Sequence, residues 1–262
     1  MVPNRHAGKF ALVTGAGSGI GAAISRVLVE EGAQVTGLDV DDAALMRTAA
    51  NIGNESGTFR PVVGDVANAA DRRRAIQSSL SGGVRLDIVV NSAAVFMLAG
   101  IDATDDQWRR TLEVNLQAPA QLAAEAVTYL RASQSAAIVN IASISAHVGQ
   151  ADRWTYNAAK GGIIELTRCQ ALDLAPIRVN SVSPGWIWTE VLDRAARGDR
   201  PYWEKLWGSY CPLSRCGEPR EVAGAVSFLA SDEASFISGA DLAVDGGYLA
   251  YGPEGTTGRL AL

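Results

Sequence analysis

Apolar runs of strand length alternate with longer amphipathic stretches along the whole chain. The short runs are Phe10–Thr14, Gln34–Asp39, Thr58–Val63, Asp87–Asn91, Ala136–Ile141, Arg178–Ser183 and Asp241–Val244, and Ile20–Glu31 is the first stretch with helical spacing. Asp87–Asn91 and Ala136–Ile141 are nearly continuous in apolar residues, as strands become when helices cover both faces of a parallel sheet. This alternation predicts an α/β fold: one doubly wound parallel sheet of about seven strands with right-handed crossovers, Rossmann-like, flanked by helices on both faces. No linker, low-complexity tract or internal repeat divides the chain, so residues 1–262 read as one domain. Two regions break the rhythm. Gly185 to Arg215 holds no clean strand and carries Trp186, Trp188, Tyr202, Trp203, Trp207 and Tyr210. Gly252–Leu262 is too rich in glycine for a helix and reads as a tail.

Composition narrows the classes. Of 262 residues, 48% are hydrophobic, which supplies a substantial core and excludes general disorder. A net charge of −5 with scattered arginines argues against nucleic-acid binding, where phosphates demand clustered positive charge. No apolar run reaches the ~18–20 residues that span a bilayer, and the polar Met1–Lys9 segment is not expected to act as a signal peptide. Cys169, Cys211 and Cys216 form no C-x-x-C pair, and with only His6 and His147 besides, no metal site is expected. A soluble, cytoplasmic protein with reduced thiols is the expectation.

Chemistry enters at Thr14–Gly21, T-G-A-G-S-G-I-G, between the first strand and the first helix. Glycines at 15, 17, 19 and 21 let the backbone turn sharply and approach a pyrophosphate, and the helix that follows offers unpaired N–H groups to the anion. A strand before and a helix after meet the context a dinucleotide site requires. Asp39 ends the second strand, 18 residues after Gly21. A carboxylate there accepts both ribose hydroxyls and repels a 2′-phosphate, and Val40, Asp41 and Asp42 supply no cation to neutralise one, so NAD is expected over NADP. Asp65, after the third strand, either accepts from the adenine amino group or caps a turn.

Tyr156 and Lys160 are four residues apart in Y-N-A-A-K, hence on one helical face. An ammonium beside a phenol stabilises the phenolate and lowers its pKa, which makes tyrosine a usable acid/base near neutral pH. Ser143 follows the Ala136–Ile141 strand, at the edge where a parallel sheet presents its chemistry, and its hydroxyl is placed to hold a substrate oxygen.

Taken in chain order, these motifs resemble the short-chain dehydrogenase/reductase family in its compact branch. The resemblance rests on the glycine loop, N-S-A-A at Asn91–Ala94, Asn115 in E-V-N-L, Ser143 with Y-N-A-A-K, and P-G-W-I-W-T at Pro184–Thr189. It implies a catalytic tetrad of Asn115, Ser143, Tyr156 and Lys160, with Asn115 holding a water that links Lys160 to solvent. It also implies a cofactor site formed by Gly15, Gly17, Ser18, Gly19, Ile20, Gly21, Asp39, Asp65, Val66, Asn91, Ala93, Tyr156, Lys160, Pro184, Gly185, Ile187 and Thr189. The family's N-N-A-G is N-S-A-A here, which bears on fine positioning at Ser92 and Ala94 rather than on cofactor binding.

The activity implied is NAD-dependent interconversion of a secondary alcohol and a ketone, in a homotetramer with no nucleic-acid or membrane partner. The segment 186–215 would be a substrate lid, and its aromatic rings suit hydrophobic, cyclic or aromatic substrates, unless those rings pack on the body or on a neighbouring subunit. Ser143, Tyr156, Trp154, Trp186 and His147 are the substrate-site candidates, and Arg153 and Glu190 either read a polar substituent or face water. Two alternatives stand beside this reading: an NADPH-dependent biosynthetic ketoreductase, and an idle NAD-binding sensor or scaffold.

Overall fold

The computed structural model describes residues 3–53 and 56–250; the tail expected at 252–262 lies outside the described residues. The seven strands are β1 Phe10–Thr14, β2 Gln34–Asp39, β3 Thr58–Val63, β4 Ile88–Asn91, β5 Ala137–Ile141, β6 Arg178–Pro184 and β7 Asp241–Val244. Between them run α1 Gly19–Glu30, α2 Asp42–Ile52, α3 Ala69–Ser79, α4 Asp105–Leu112, α5 Ala118–Arg131, α6 Trp154–Asp173, α7 Glu190–Ala196, α8 Arg200–Gly208 and α9 Pro219–Ala230. Asp87 stays outside β4 because its carboxylate is an anchor: it accepts from the Phe10 amide at 2.9 Å and from Ser133 Oγ at 2.5 Å.

All seven strands are parallel, in the order β3-β2-β1-β4-β5-β6-β7. The order reverses between β1 and β4, so the crevice beyond their carboxyl ends is the ligand site of such a sheet. Thr14, the last residue of β1, pairs with Asn91 on one side and Leu38 on the other. Strand alternation sorts the core into two layers. Ala11, Val13, Ile88 and Val90 pack with Ile24 and Leu28 of α1 and with Val222 and Val226 of α9. Leu12, Val89 and Ile138 face the other way, onto Ile76 of α3 and Leu122, Ala126 and Leu130 of α5.

Two local departures position the site. The stretch from α4 to α5 is interrupted by a π-helical turn at Glu113–Gln117, with Asn115 at its centre. The region expected to lack strands, 185–215, holds α7 and α8 together with a parallel bridge from Ile187 to Gly217. Its aromatic residues pack chiefly on one another. Trp207 lies 5.4 Å from Trp186, 5.0 Å from Trp203 and 5.7 Å from Trp188, ring centroid to centroid. Together with Ala196 and Cys216 they form a small core separate from the two main layers. Among the described residues no helix is long and apolar enough to cross a membrane.

Candidate active site

A cleft of about 720 Å³ opens at the carboxyl edge of the sheet, running from α2 past the β1–α1 loop to the lid helices. Its floor at one end is the glycine loop. Gly15 has φ +68°, and a Cβ there would lie 2.8 Å from the Ala93 backbone; one at Gly21 would lie 1.9 Å from the Gly15 carbonyl oxygen. Side chains are excluded because three backbone segments converge at this point. Ser18 caps α1 in extended conformation with no side-chain bond to the first turn, so the helix start keeps amides for an anion. Gly15, Ser18, Gly19, Ile20 and Gly21 line the cleft, whereas Gly17 is buried behind it, donating its N–H to Asp39 Oδ2 at 2.8 Å. These features fit a dinucleotide pyrophosphate.

The carboxylate of Asp39 also accepts from the Asp41 amide at 3.0 Å. Each carboxylate oxygen has room for a second donor, so bracing the loop does not exhaust its capacity for ribose hydroxyls. Asp65 accepts from the Ala67 amide at 2.9 Å and from Arg110 at 2.8 Å, and with Val66 it lines the same end. Arg47 of α2 and Arg110 of α4 both face this end. Sequence reading missed both. Arg47 lies beyond the short window after Asp39, and nothing local ties Arg110 to Asp65, 45 residues away.

At the other end β5 delivers Ser143, and α6 delivers Tyr156 and Lys160, one turn apart. Ser143 caps a short 3₁₀ turn, accepting from the Ser145 amide at 3.1 Å, and its hydroxyl acts on the Tyr156 phenol, favouring the ionised form. Lys160 is buried, donates to the Ile141 carbonyl at 2.6 Å, and sits 5.6 Å from the centroid of the Tyr156 ring. Burial pushes the Tyr156 phenol above its ordinary value, and the Ser143 hydroxyl and the Arg153 charge pull it back only in part. This differs from the expected lowering. The same desolvation brings the Lys160 amine down to about 8, so the cation meant to acidify the phenol is itself weakened.

The remaining candidates divide. Ala93, Pro184, Gly185, Trp186, Ile187 and Thr189 line the cleft. Asn115 and Asn91 are buried behind its wall. Asn115 accepts from the Val95 amide and donates to the Val95 carbonyl, both at 2.8 Å, so its side chain clamps the loop after β4. Asn91 donates to Asn140 at 2.7 Å. Trp154 and His147 fall outside the cleft. Trp154 is 53% exposed, because two helical steps from Tyr156 carry it to the opposite side of α6. His147 turns to β7, its Nε2 2.9 Å from Asp241 and 3.3 Å from Ser183. Phe96, unforeseen, meets the Tyr156 ring edge-on at 5.0 Å.

A family model described as enoyl-(acyl carrier protein) reductase matches residues 15–249. The chain is 40% identical to cis-4-hydroxycyclohexanecarboxylate dehydrogenase of Sinomonas cyclohexanicum, covering 92% of this chain and 97% of that one. It is 34% identical to cyclohexanol dehydrogenase of an Acinetobacter species, over 95% and 98% of the two chains. Ligand-free aldohexose dehydrogenase of Thermoplasma acidophilum superposes with a TM-score of 0.87 at 33% identity, covering 96% of this chain and 98% of that one. With the glycine cradle at one end of the cleft and the serine, tyrosine and lysine at the other, this chain belongs to the short-chain dehydrogenase/reductase family.

Proposed function

We propose that the protein is an NAD-dependent oxidoreductase that interconverts a secondary alcohol and its ketone, with Tyr156 as general acid/base. The observation that carries this reading is the convergence of Ser143, Tyr156 and Lys160 on the cleft that the glycine loop and Asp39 close at its other end. A bound nicotinamide would supply the hydride chemistry; the chain supplies placement and proton movement. Gly15, Ser18–Gly21 and the start of α1 would hold the pyrophosphate, Asp39 the adenosine ribose, and Lys160 the nicotinamide ribose. Pro184, Gly185, Ile187 and Thr189 would border the nicotinamide ring.

In the oxidation direction Tyr156, as tyrosinate, accepts the alcohol proton while Ser143 orients the substrate oxygen. In reduction the neutral phenol returns that proton to the forming alkoxide. The Arg153 charge lowers the phenol pKa against the effect of burial, and the positive charge that a bound oxidised nicotinamide would supply acts in the same direction. Asn115 shapes the π-turn and, through its clamp on Val95, the loop after β4; a water held by it would link Lys160 to solvent.

Asp39 favours NAD by repelling a 2′-phosphate. Arg47 is the feature that favours NADP, and it is exposed on α2 whereas Asp39 is fixed by two backbone amides. The relatives whose names specify cyclic alcohols, together with Phe96, Leu98, Trp186 and Trp207 on the cleft wall, support an alicyclic substrate. The family resemblance further supports a homotetramer, which light scattering reads directly, and the composition supports a cytoplasmic location. The test is a screen of cyclic, aromatic, steroid and sugar-type secondary alcohols with NAD and NADP, following reduced nicotinamide by absorbance. Turnover of cyclic alcohols with NAD is expected. Cofactor binding without turnover of any alcohol would make the protein a sensor, and a strong NADP preference would overturn the cofactor assignment.

A further inference from the structure

Five cationic side chains line the cleft: Arg47, Arg110, Arg153, Lys160 and Arg194. Arg47 and Arg110 stand at the adenosine end, Lys160 is held by the Ile141 carbonyl, and Arg194 is exposed on α7. Arg153 stands among the neighbours of the reacting phenol without a fixed role in the cofactor site. Its guanidinium lies 5.3 Å from the centroid of Phe96 and 5.7 Å from that of Trp186, and Phe96 in turn packs on Tyr156. Its one hydrogen bond is neutral, from Nη1 to Gln150 Oε1 at 2.8 Å, and among the described residues no carboxylate pairs with it.

A half-buried guanidinium costs free energy unless an anion answers it. Burial lowers the Arg153 pKa, opposed only by Tyr156 and Tyr248. The Phe96 and Trp186 rings lie within cation–π range and offer no hydrogen-bond acceptor, so N–H groups of the guanidinium are left to meet a ligand. That planar fork matches a carboxylate in two parallel hydrogen bonds. Arg153 is also the N-cap residue of α6, where the helix end is positive. Three residues on, Tyr156 lines the same cleft.

We infer that Arg153 is a carboxylate anchor in the substrate subsite, and that the substrate is a hydroxy acid, or the matching keto acid, whose carboxylate meets this guanidinium while its carbinol meets Tyr156. This rests on the oxidoreductase reading and narrows its substrate class. Arg153 is then a specificity-determining residue, flanked by Phe96 and Trp186.

The experiment compares 4-hydroxycyclohexanecarboxylate with cyclohexanol as substrates for the wild type, Arg153→Met and Arg153→Lys. In parallel, tryptophan fluorescence of the NAD-loaded enzyme measures binding of cyclohexanecarboxylate and of the uncharged cyclohexanecarboxamide. The expectation is that wild-type kcat/KM and affinity both favour the acid by about 10–100-fold, as a charge-assisted bidentate pair does. Arg153→Met brings both ratios to within about threefold of one, and Arg153→Lys keeps the sign of the preference at reduced size. A wild type indifferent to the carboxylate, or an Arg153→Met variant that retains the preference, overturns the inference. So does a pH profile displaced equally for both substrates with the ratios unchanged, which would make Arg153 a positioning residue for Tyr156. Acid-selective binding without turnover of either alcohol would sustain the anchor while sinking the oxidoreductase reading.

Discussion

At the adenosine end of the cleft the backbone makes the site: Gly15 and Gly21 clear the space, Gly17 and Asp41 fix the Asp39 carboxylate, and all five lie within 27 consecutive residues. At the reacting end the site is made of side chains from separated elements. Phe96 comes from the loop after β4, Ser143 from the end of β5, Tyr156 and Lys160 from α6, and Trp186 and Trp207 from the lid. The first end is rigid and local, suited to a ligand that does not vary. The second depends on tertiary packing, so single side chains there can retune the substrate with no change to the cofactor cradle.

Substitutions that act on one end and spare the other are the means to break this division. The largest effect belongs to Tyr156→Phe, which removes the acid/base and should cut turnover by about 10²–10⁴-fold, with NAD affinity in a fluorescence titration changed far less. Gly15→Ala should do the reverse. Its Cβ would press on Ala93 at a backbone angle that costs about 1–3 kcal/mol, so the melting temperature falls and NAD affinity is lost in calorimetry while the tyrosine and lysine are untouched. Asp39→Ala removes the repulsion of a 2′-phosphate, and should shift the NADP-to-NAD ratio of kcat/KM by about tenfold or more, each 1.4 kcal/mol being a factor of ten. An unchanged ratio would mean that Asp39 serves only to brace Gly17. Trp207→Ala takes away the hub of the lid's ring stack. A local loss of about 3–5 kcal/mol is expected, seen as a severalfold higher KM for cyclic alcohols, with the main thermal transition displaced little because the lid core is separate.

The same division explains what could be read from the chain. Strand periodicity, the glycine loop and Asp39 are local signals, and β1, β2, β3 and β7 run over the same residues as the predicted strands. Helical phase also serves at the reacting end when applied strictly. Positions three before and four after Tyr156 share its face, which selects Arg153 and Lys160 and rejects Trp154. What escapes is any pairing made by the sheet register or by long loops. His147 finds Asp241 across 94 residues, and Arg110 finds Asp65 across 45. The direction of the Tyr156 shift escapes too, because Y-x-x-x-K spacing shows the cation and not the burial that opposes it.

That opposition is open to direct measurement in the pH dependence of kcat/KM for cyclohexanol oxidation with NAD. Oxidation needs tyrosinate, and a raised phenol pKa makes tyrosinate scarce near neutrality, so the rate should climb with pH through the alkaline range while ketone reduction, which needs the neutral phenol, stays level or declines. Oxidation that is flat from pH 6 to 10, or an alkaline limb that persists in Tyr156→Phe, would contradict Tyr156 as the group that moves the proton.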